Sequence, residues 1–499
     1  MLLRNSLWNL AGSALPAIVA LATVPLLIHG LGLEGFGIVT LIGSVIGYFG
    51  VLDINLSAGS IKYLAQFHAQ NERTQFAETF WFGCLFYGLL GTVGALVLYV
   101  GAGFLTERFF TVSAALRAET LLAFQIAAFG FAMSQIQNYL LVIPQALQRY
   151  DRSAQAEAFF GVMVNIVSAA VAINGGGIAG VIAVRVAIAS INNLWLVWLL
   201  HTLGVPLKPV WPRRTIRHTL TSFSAYAYLS RLAALMQAHG DKLIVGTLAG
   251  PVALTFYTVP AQLAGRILGL CFRLASVIYP RVSALAATGQ HASLRLLYLD
   301  TTRLLTYLNL IVLGMIALAG EDFLRRWVGA EFVAQGYPVL LLITLALLVD
   351  SLTNIPSLVN DGLGHPRVTG RFALARGVTG IALVFAGTHA GGIIGAAAAH
   401  LLASLLMTVL FLVYVHGRTV PVSLLETLRV SWLPSIAIGS VGLAVLVPLK
   451  WLLPSGGAGT LLLVSTALLA LLVAGYVFIV SVDERQALLA IARKFYPGA

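Results

Sequence analysis

Residues 8–29, WNLAGSALPAIVALATVPLLIH, and residues 36–56, FGIVTLIGSVIGYFGVLDINL, decide the fold class, together with the hexapeptide GLGLEG between them. Each run is close to the roughly 20 apolar residues that an α-helix needs to cross a bilayer. Strands of a membrane barrel would alternate over about 10 residues instead. The Gly-marked connector is a tight hairpin between two spans. Arg4 is the one basic residue before the first run, no small-residue cleavage site stands out, and a second run follows at once, so the first run is expected to be a retained helix rather than a signal peptide.

The same pattern fills the chain. Of 499 residues, 59% are hydrophobic and 10% charged, against roughly 25% charged in soluble domains. The mean hydropathy is +0.92. Such a surface needs lipid as its solvent. The apolar runs are read as 8–29, 36–56, 79–103, 120–147, 154–173, 178–201, 220–247, 252–279, 298–319, 336–359, 367–388, 391–416, 431–453 and 459–481. The expected fold is therefore an all-α membrane protein with about 14 transmembrane helices. The longest connections are 57–78, 201–219 and 280–297.

The formal net charge of +12 is distributed unevenly. With the N-terminus inside, 19 of the 30 Lys and Arg fall on the inner face, 5 on the outer face and 6 within spans. That asymmetry places both termini in the cytoplasm and supports an even number of spans. The most polar break holds Lys208, Pro209, Pro212, Arg213, Arg214 and Arg217. It predicts an N-terminal six-helix lobe over 1–207, a basic linker over 208–219, a second six-helix lobe over 220–417, and a C-terminal helix pair with its tail over 418–499.

Several chemistries lack their residues. Cys84 and Cys271 sit far apart in apolar runs, and the ten histidines form no ligand spacing. No metal site, disulfide framework or cofactor is expected. Gly175-Gly176-Gly177 lacks the Lys-Ser/Thr of a phosphate loop. The basic charge belongs to membrane topology, so nucleic acid is not expected as a partner.

A faint repeat is visible. Leu31-Gly32-Leu33-Glu34-Gly35-Phe36-Gly37 and, 218 residues later, Ala249-Gly250-Pro251-Val252-Ala253-Leu254-Thr255 both join long apolar runs. Such echoes are common in transporters.

Asn5-Ser6-Leu7-Trp8-Asn9-Leu10-Ala11-Gly12, Pro16, Pro25-Leu26-Leu27-Ile28, the Leu31–Gly37 element, Leu52-Asp53-Ile54-Asn55-Leu56 and Lys62-Tyr63-Leu64-Ala65 together resemble the polysaccharide flippases. These belong to the multidrug/oligosaccharidyl-lipid/polysaccharide exporter superfamily, and the similarity is to its Wzx-type O-antigen and exopolysaccharide branch. Asp241-Lys242-Leu243-Ile244-Val245-Gly246 and Phe256-Tyr257-Thr258-Val259-Pro260 resemble the family's seventh-to-eighth helix junction. The resemblance implies two six-helix lobes around a central cavity that opens alternately to each side. It implies a cargo of undecaprenyl-diphosphate-linked oligosaccharide, moved from the cytoplasmic to the periplasmic leaflet of the inner membrane. Polysaccharide polymerase and assembly proteins are the further partners to expect.

A diphosphate in a watery path calls for cations. Arg266 and Arg273, seven apart on one span, share a face. Arg231 and Lys242, eleven apart on the preceding span, also share one. Arg185 and Arg376 complete the intramembrane cations. Each either lines the cavity or reaches an interface or local partner, and Lys242 has Asp241 beside it. Asp53 and Asp350 are the candidates for coupling to H⁺ or Na⁺; capping or pairing is the alternative. Glu34 is expected to cap the second helix. Trp8, Trp81, Trp211, Trp327, Trp432 and Trp451 are expected in an interfacial belt, and Gly43-x-x-x-Gly47 in a close helix approach.

Two rival functions remain. A multidrug exporter of the same superfamily would rely on buried acids, whereas these spans carry more bases. A membrane-embedded polymerase, ligase or glycosyltransferase would need a catalytic patch. The best candidate is 320–335 with Glu321, Asp322, Arg325, Arg326 and Glu331, which also reads as a solvated charged loop. An enzyme is not expected.

Overall fold

The computed structural model describes residues 2–206, 208–276, 278–452, 457–480 and 485; the side chains of 2–13, 219, 222–227, 229–230, 270, 273–276, 279–280, 446–447, 449–452, 457–458, 460–461 and 463 are outside the description. The side chains of Trp8, Arg273, Lys450 and Trp451 therefore lie outside the description, and Arg493 and Lys494 of the tail lie outside the described residues altogether. The described residues contain helices and no strand.

The helices are α1 (Leu2–Tyr48), α2 (Leu56–Ala69), α3 (Arg73–Phe104), α4 (Arg117–Leu140), α5 (Val142–Ala146), α6 (Tyr150–Ile173), α7 (Gly177–Thr202), α8 (Arg214–Leu248), α9 (Gly250–Ser276), α10 (Tyr279–Ala287), α11 (His291–Trp327), α12 (Ala330–Ser351), α13 (Asn354–Gly362), α14 (Pro366–Arg418), α15 (Leu424–Thr427), α16 (Leu433–Leu452) and α17 (Gly457–Ala474). Nine described segments are long and apolar enough to cross a membrane. Two of them are broken internally: α1 at Gly32, and α14 at Gly391 and Gly392. With these breaks, and with α8, α9 and α17, the helices are consistent with about fourteen spans.

Lipid, not water, is the solvent these surfaces fit. Leu89, Val100, Leu194 and Phe478 are 68%, 73%, 72% and 68% exposed. Long stripes of such side chains would drive association in water, whereas in a bilayer they meet acyl chains. The interior instead holds close contacts between small residues and rings. A Cβ added at Gly83 of α3 would lie 1.9 Å from Tyr139 Cζ of α4. The Tyr139 hydroxyl donates to the carbonyls of Thr79 and Phe80, and its ring stacks on Tyr87 at 5.2 Å.

By contacts the chain divides into two compact units, Met1–Thr258 and Val259–Ala499. In the first, α1 runs along α6, α3 packs on α4, α4 on α7, and α8 lies against α1, α2 and α3. In the second, α11 packs on α12 and α16, and α12 on α14.

Two connections expected as loops contain helices. The stretch 57–78 is largely α2, and 280–297 is largely α10 and the start of α11. In α2 the buried residues Leu56, Ser60, Leu64 and Phe67 recur at helical spacing. A search for 20-residue apolar runs passes over so short a stripe. The span read as 120–147 also breaks at Leu141, between α4 and α5, and the one read as 336–359 breaks between α12 and α13.

The weak sequence echo has a backbone counterpart. Gly32 (φ 72°) and Gly250 (φ 85°) stand 218 residues apart, as do Asn71 (φ 56°) and Gly289 (φ 68°). Gln148 (φ 57°) and Gly364 (φ 90°) are 216 apart, and Gly175 (φ 76°) and Gly392 (φ 57°) are 217 apart. Each pair marks the end or break of corresponding helices, so α1–α7 recur as α8–α14. The first pair of hairpins also touch each other. Thr255 Oγ1 donates to the Leu33 carbonyl at 2.7 Å, and a Cβ at Gly37 would lie 1.9 Å from the Pro251 carbonyl oxygen. Under the 218-residue offset Leu33 corresponds to Pro251 and Gly37 to Thr255, so the two contacts are exchanged copies of one another.

Candidate functional site

The intramembrane charges sort by their partners. At the end of α1 the chain tightens into a 3₁₀ turn, Phe49–Leu52, and then leaves the helix at Asp53. The Asp53 carboxylate turns back on its own backbone and accepts from the Asn55 amide at 2.9 Å, an Asx turn that suits the left-handed Asn55. It also accepts from the Tyr87 hydroxyl at 2.9 Å and lies 3.1 Å from Arg231 Nη2. Asp53 is 2% exposed. On the same face of α8, the Tyr228 hydroxyl donates to the Val51 carbonyl at 2.8 Å. Asp53, read as a coupling acid, and Arg231, read as a cavity cation, thus neutralise each other.

The second unit repeats this chemistry with different geometry. Arg376 of α14 donates through Nε and Nη2 to the two oxygens of Asp350 on α12, at 3.4 and 3.2 Å. The Ser404 hydroxyl sits between them, accepting from Arg376 at 2.6 Å and donating to Asp350 at 3.0 Å. A buried ion pair holds only where further hydrogen bonds complete it, and both pairs have them.

Lys242 is served locally. Its Nζ lies 3.4 Å from Asp241 Oδ1 and donates to the Ala238 carbonyl, while Tyr257 donates to Asp241 Oδ2 at 3.0 Å. Arg231 and Lys242 share α8 yet are engaged by different carboxylates.

Two described cations have no acid. Arg185 of α7 donates from Nε to Ser168 Oγ at 3.2 Å. Arg266 of α9 is half-buried and makes no hydrogen bond or ion pair among the described residues. Arg273 follows it by seven residues on the same helix, and its side chain is outside the description.

Other expectations resolve differently. Glu34 accepts from the Ser113 amide at 2.8 Å, so it ties down the segment before α4 rather than capping the second half of α1. Trp432 is buried at 7% exposure beside His416, not in an interfacial belt. Gly47 meets the His239 ring, whereas a Cβ at Gly43 would meet nothing within 4 Å. In 320–335, Arg325 pairs with Glu321 one helical turn away on an exposed face, as a solvated charged segment does. Sequence reasoning missed Tyr87, Ser168 and Ser404, since a hydroxyl in an apolar run gives no signal of what it faces. It also missed Glu78, which is buried on α3 and holds Arg213 Nε at 2.7 Å.

Known proteins carry the same architecture. Residues 31–334 match the family described as polysaccharide biosynthesis protein. The "Putative O-antigen transporter" of Shigella flexneri is 23% identical over 408 residues, which cover 79% of this chain and 93% of that protein. The lipid II flippase MurJ in an inward closed conformation superposes with a TM-score of 0.76 at 12% identity, covering 95% of this chain and 98% of MurJ. An inward-facing multidrug resistance MATE transporter of the MOP superfamily gives a TM-score of 0.68 at 14% identity, covering 82% of this chain and 98% of that one. These structural likenesses show the fold alone. A match spanning most of the chain decides the family: this multi-pass membrane protein belongs to the polysaccharide biosynthesis protein family.

Proposed function

We propose that the protein is a flippase that moves undecaprenyl-diphosphate-linked oligosaccharide from the cytoplasmic to the periplasmic leaflet of the inner membrane, for O-antigen or exopolysaccharide synthesis. Both termini lie in the cytoplasm. The lobes are 1–207 and 220–417, joined by the basic linker 208–219 and followed by the pair 418–499, and they open alternately to the two sides. The observation that carries the reading is the family match together with the charge pattern. The spans hold cations beyond those their own acids neutralise, and Arg266 is one of them.

Arg266 and Arg273 hold the diphosphate, while Arg231, Arg376 and Lys242 give up their carboxylates when the lobes rearrange. Asp53 and Asp350 then become open to H⁺ or Na⁺, which couples the cycle to an ion gradient. The multidrug alternative is less well supported, because Asp53 and Asp350 are each engaged by an arginine.

The test is flipping of a lipid-linked oligosaccharide in proteoliposomes, beside complementation of a strain lacking the gene. Arg266→Ala with Arg273→Ala is expected to lower delivery at least about tenfold at normal membrane abundance, the scale of one lost charge-assisted contact. Full transport by that double variant removes the proposed site. Flipping indifferent to imposed ion gradients removes the coupling.

A further inference from the structure

We infer that the wall formed by α1, α4 and α7 binds one small inorganic anion, a halide or a single tetrahedral oxyanion, against the Arg185 guanidinium. A pocket of about 150 Å³ opens there, lined by Val39, Ile42 and Ile46 of α1, Ala127 of α4, and Arg185 and Val186 of α7. Arg185 is the charged residue of that lining, and the rest is apolar. Its Nε is bound to Ser168 Oγ at 3.2 Å, and its two terminal nitrogens have no partner among the described residues.

The contrast within the chain carries the argument. Arg231 and Arg376 each meet an aspartate, at 3.1 and 3.2 Å, with hydroxyls completing the set. Arg185 has the hydroxyl and lacks the aspartate. A guanidinium facing an apolar wall without a counter-charge is costly, and a mobile anion supplies the missing charge. Two donors on one planar fork suit an oxyanion or halide.

Size narrows the ligand. The pocket exceeds a water's share of roughly 30 Å³ several times over. It falls below the roughly 300 Å³ at which pockets begin to enclose organic ligands. A hydrated halide or a phosphate fits, and a sugar does not. Gly43 borders the space, and a Cβ there meets nothing within 4 Å, so a larger side chain can occupy the pocket without touching backbone. The inference does not depend on which cargo the protein carries.

The full chain, purified in detergent in gluconate buffer, is titrated at constant ionic strength with chloride, bromide or phosphate while its thermal midpoint is followed. A rise of roughly 2 °C or more is expected for the wild type with at least one of these ions. The rise is lost in Arg185→Gln, which removes the charge, and in Gly43→Leu, which keeps the charge and fills the space. Should Arg185→Gln fail to fold, Gly43→Leu and an anomalous bromide peak beside the guanidinium carry the test. The inference is overturned by no rise in the wild type, by an undiminished rise in Gly43→Leu, or by bromide bound elsewhere. It is equally overturned if farnesyl diphosphate produces the rise and no free ion does, since the pocket then belongs to a lipid headgroup.

Discussion

A buried carboxylate and a guanidinium that neutralise each other hold their surroundings as a unit, so removing one member is worse than removing both. Asp53 sits under Arg231 with two further donors on its carboxylate. Asp53→Asn and Arg231→Met are each expected to destabilise by about 3 kcal/mol, because the partner is left charged and unpaired. The double substitution is expected to cost less than the sum. Denaturation of the purified variants in a double-mutant cycle measures this, and strict additivity would show that the two groups do not interact in the folded protein. Arg376→Met is expected to follow the same rule with Asp350 and to be smaller, since Asp350 keeps the Ser404 hydroxyl and is one-third exposed. At this scale the sequence revealed the charges but not their pairing. In-span aspartate and arginine stand out because they are rare in lipid. Which one meets which is decided by helices distant in the chain and by hydroxyls that look like any other serine or tyrosine.

Helices in this protein approach most closely where a side chain is missing, and two glycines of α1, Gly37 and Gly43, behave differently. Gly37→Ala is expected to destabilise by about 1–3 kcal/mol, because its methyl would press on the Pro251 backbone. Gly43→Ala meets open space and is expected to be neutral or stabilising by up to about 1 kcal/mol through helix propensity. Thermal unfolding of both variants, compared side by side, checks the order, and the reverse order would contradict the contact. The long apolar helices were legible from hydropathy alone, as were the breaks at Gly32 and Gly250, because glycine between apolar runs admits φ near 70–85° without strain. The short helices α2, α5, α10 and α13 were not. Their few buried residues make a helical stripe only against neighbours that a linear scan does not see.

The orientation proposed for the whole molecule rests on which face its basic residues occupy. In a chain with Cys84 and Cys271 replaced by Ala, single cysteines at Gln70 and Gln290, both exposed, are expected to react with membrane-impermeant maleimide only after the cytoplasmic side is opened. Cysteines at Ala114 and Ala330, also exposed, are expected to react from outside in intact cells. Labelling of all four from one side would overturn the topology drawn from the uneven spread of Lys and Arg. The exchanged contacts of Leu33 with Thr255 and Gly37 with Pro251 carry one more implication. Both contacts belong to the same pair of hairpins, so substitutions at Gly37 and at Thr255 are expected to disturb one shared junction and to fall short of additivity.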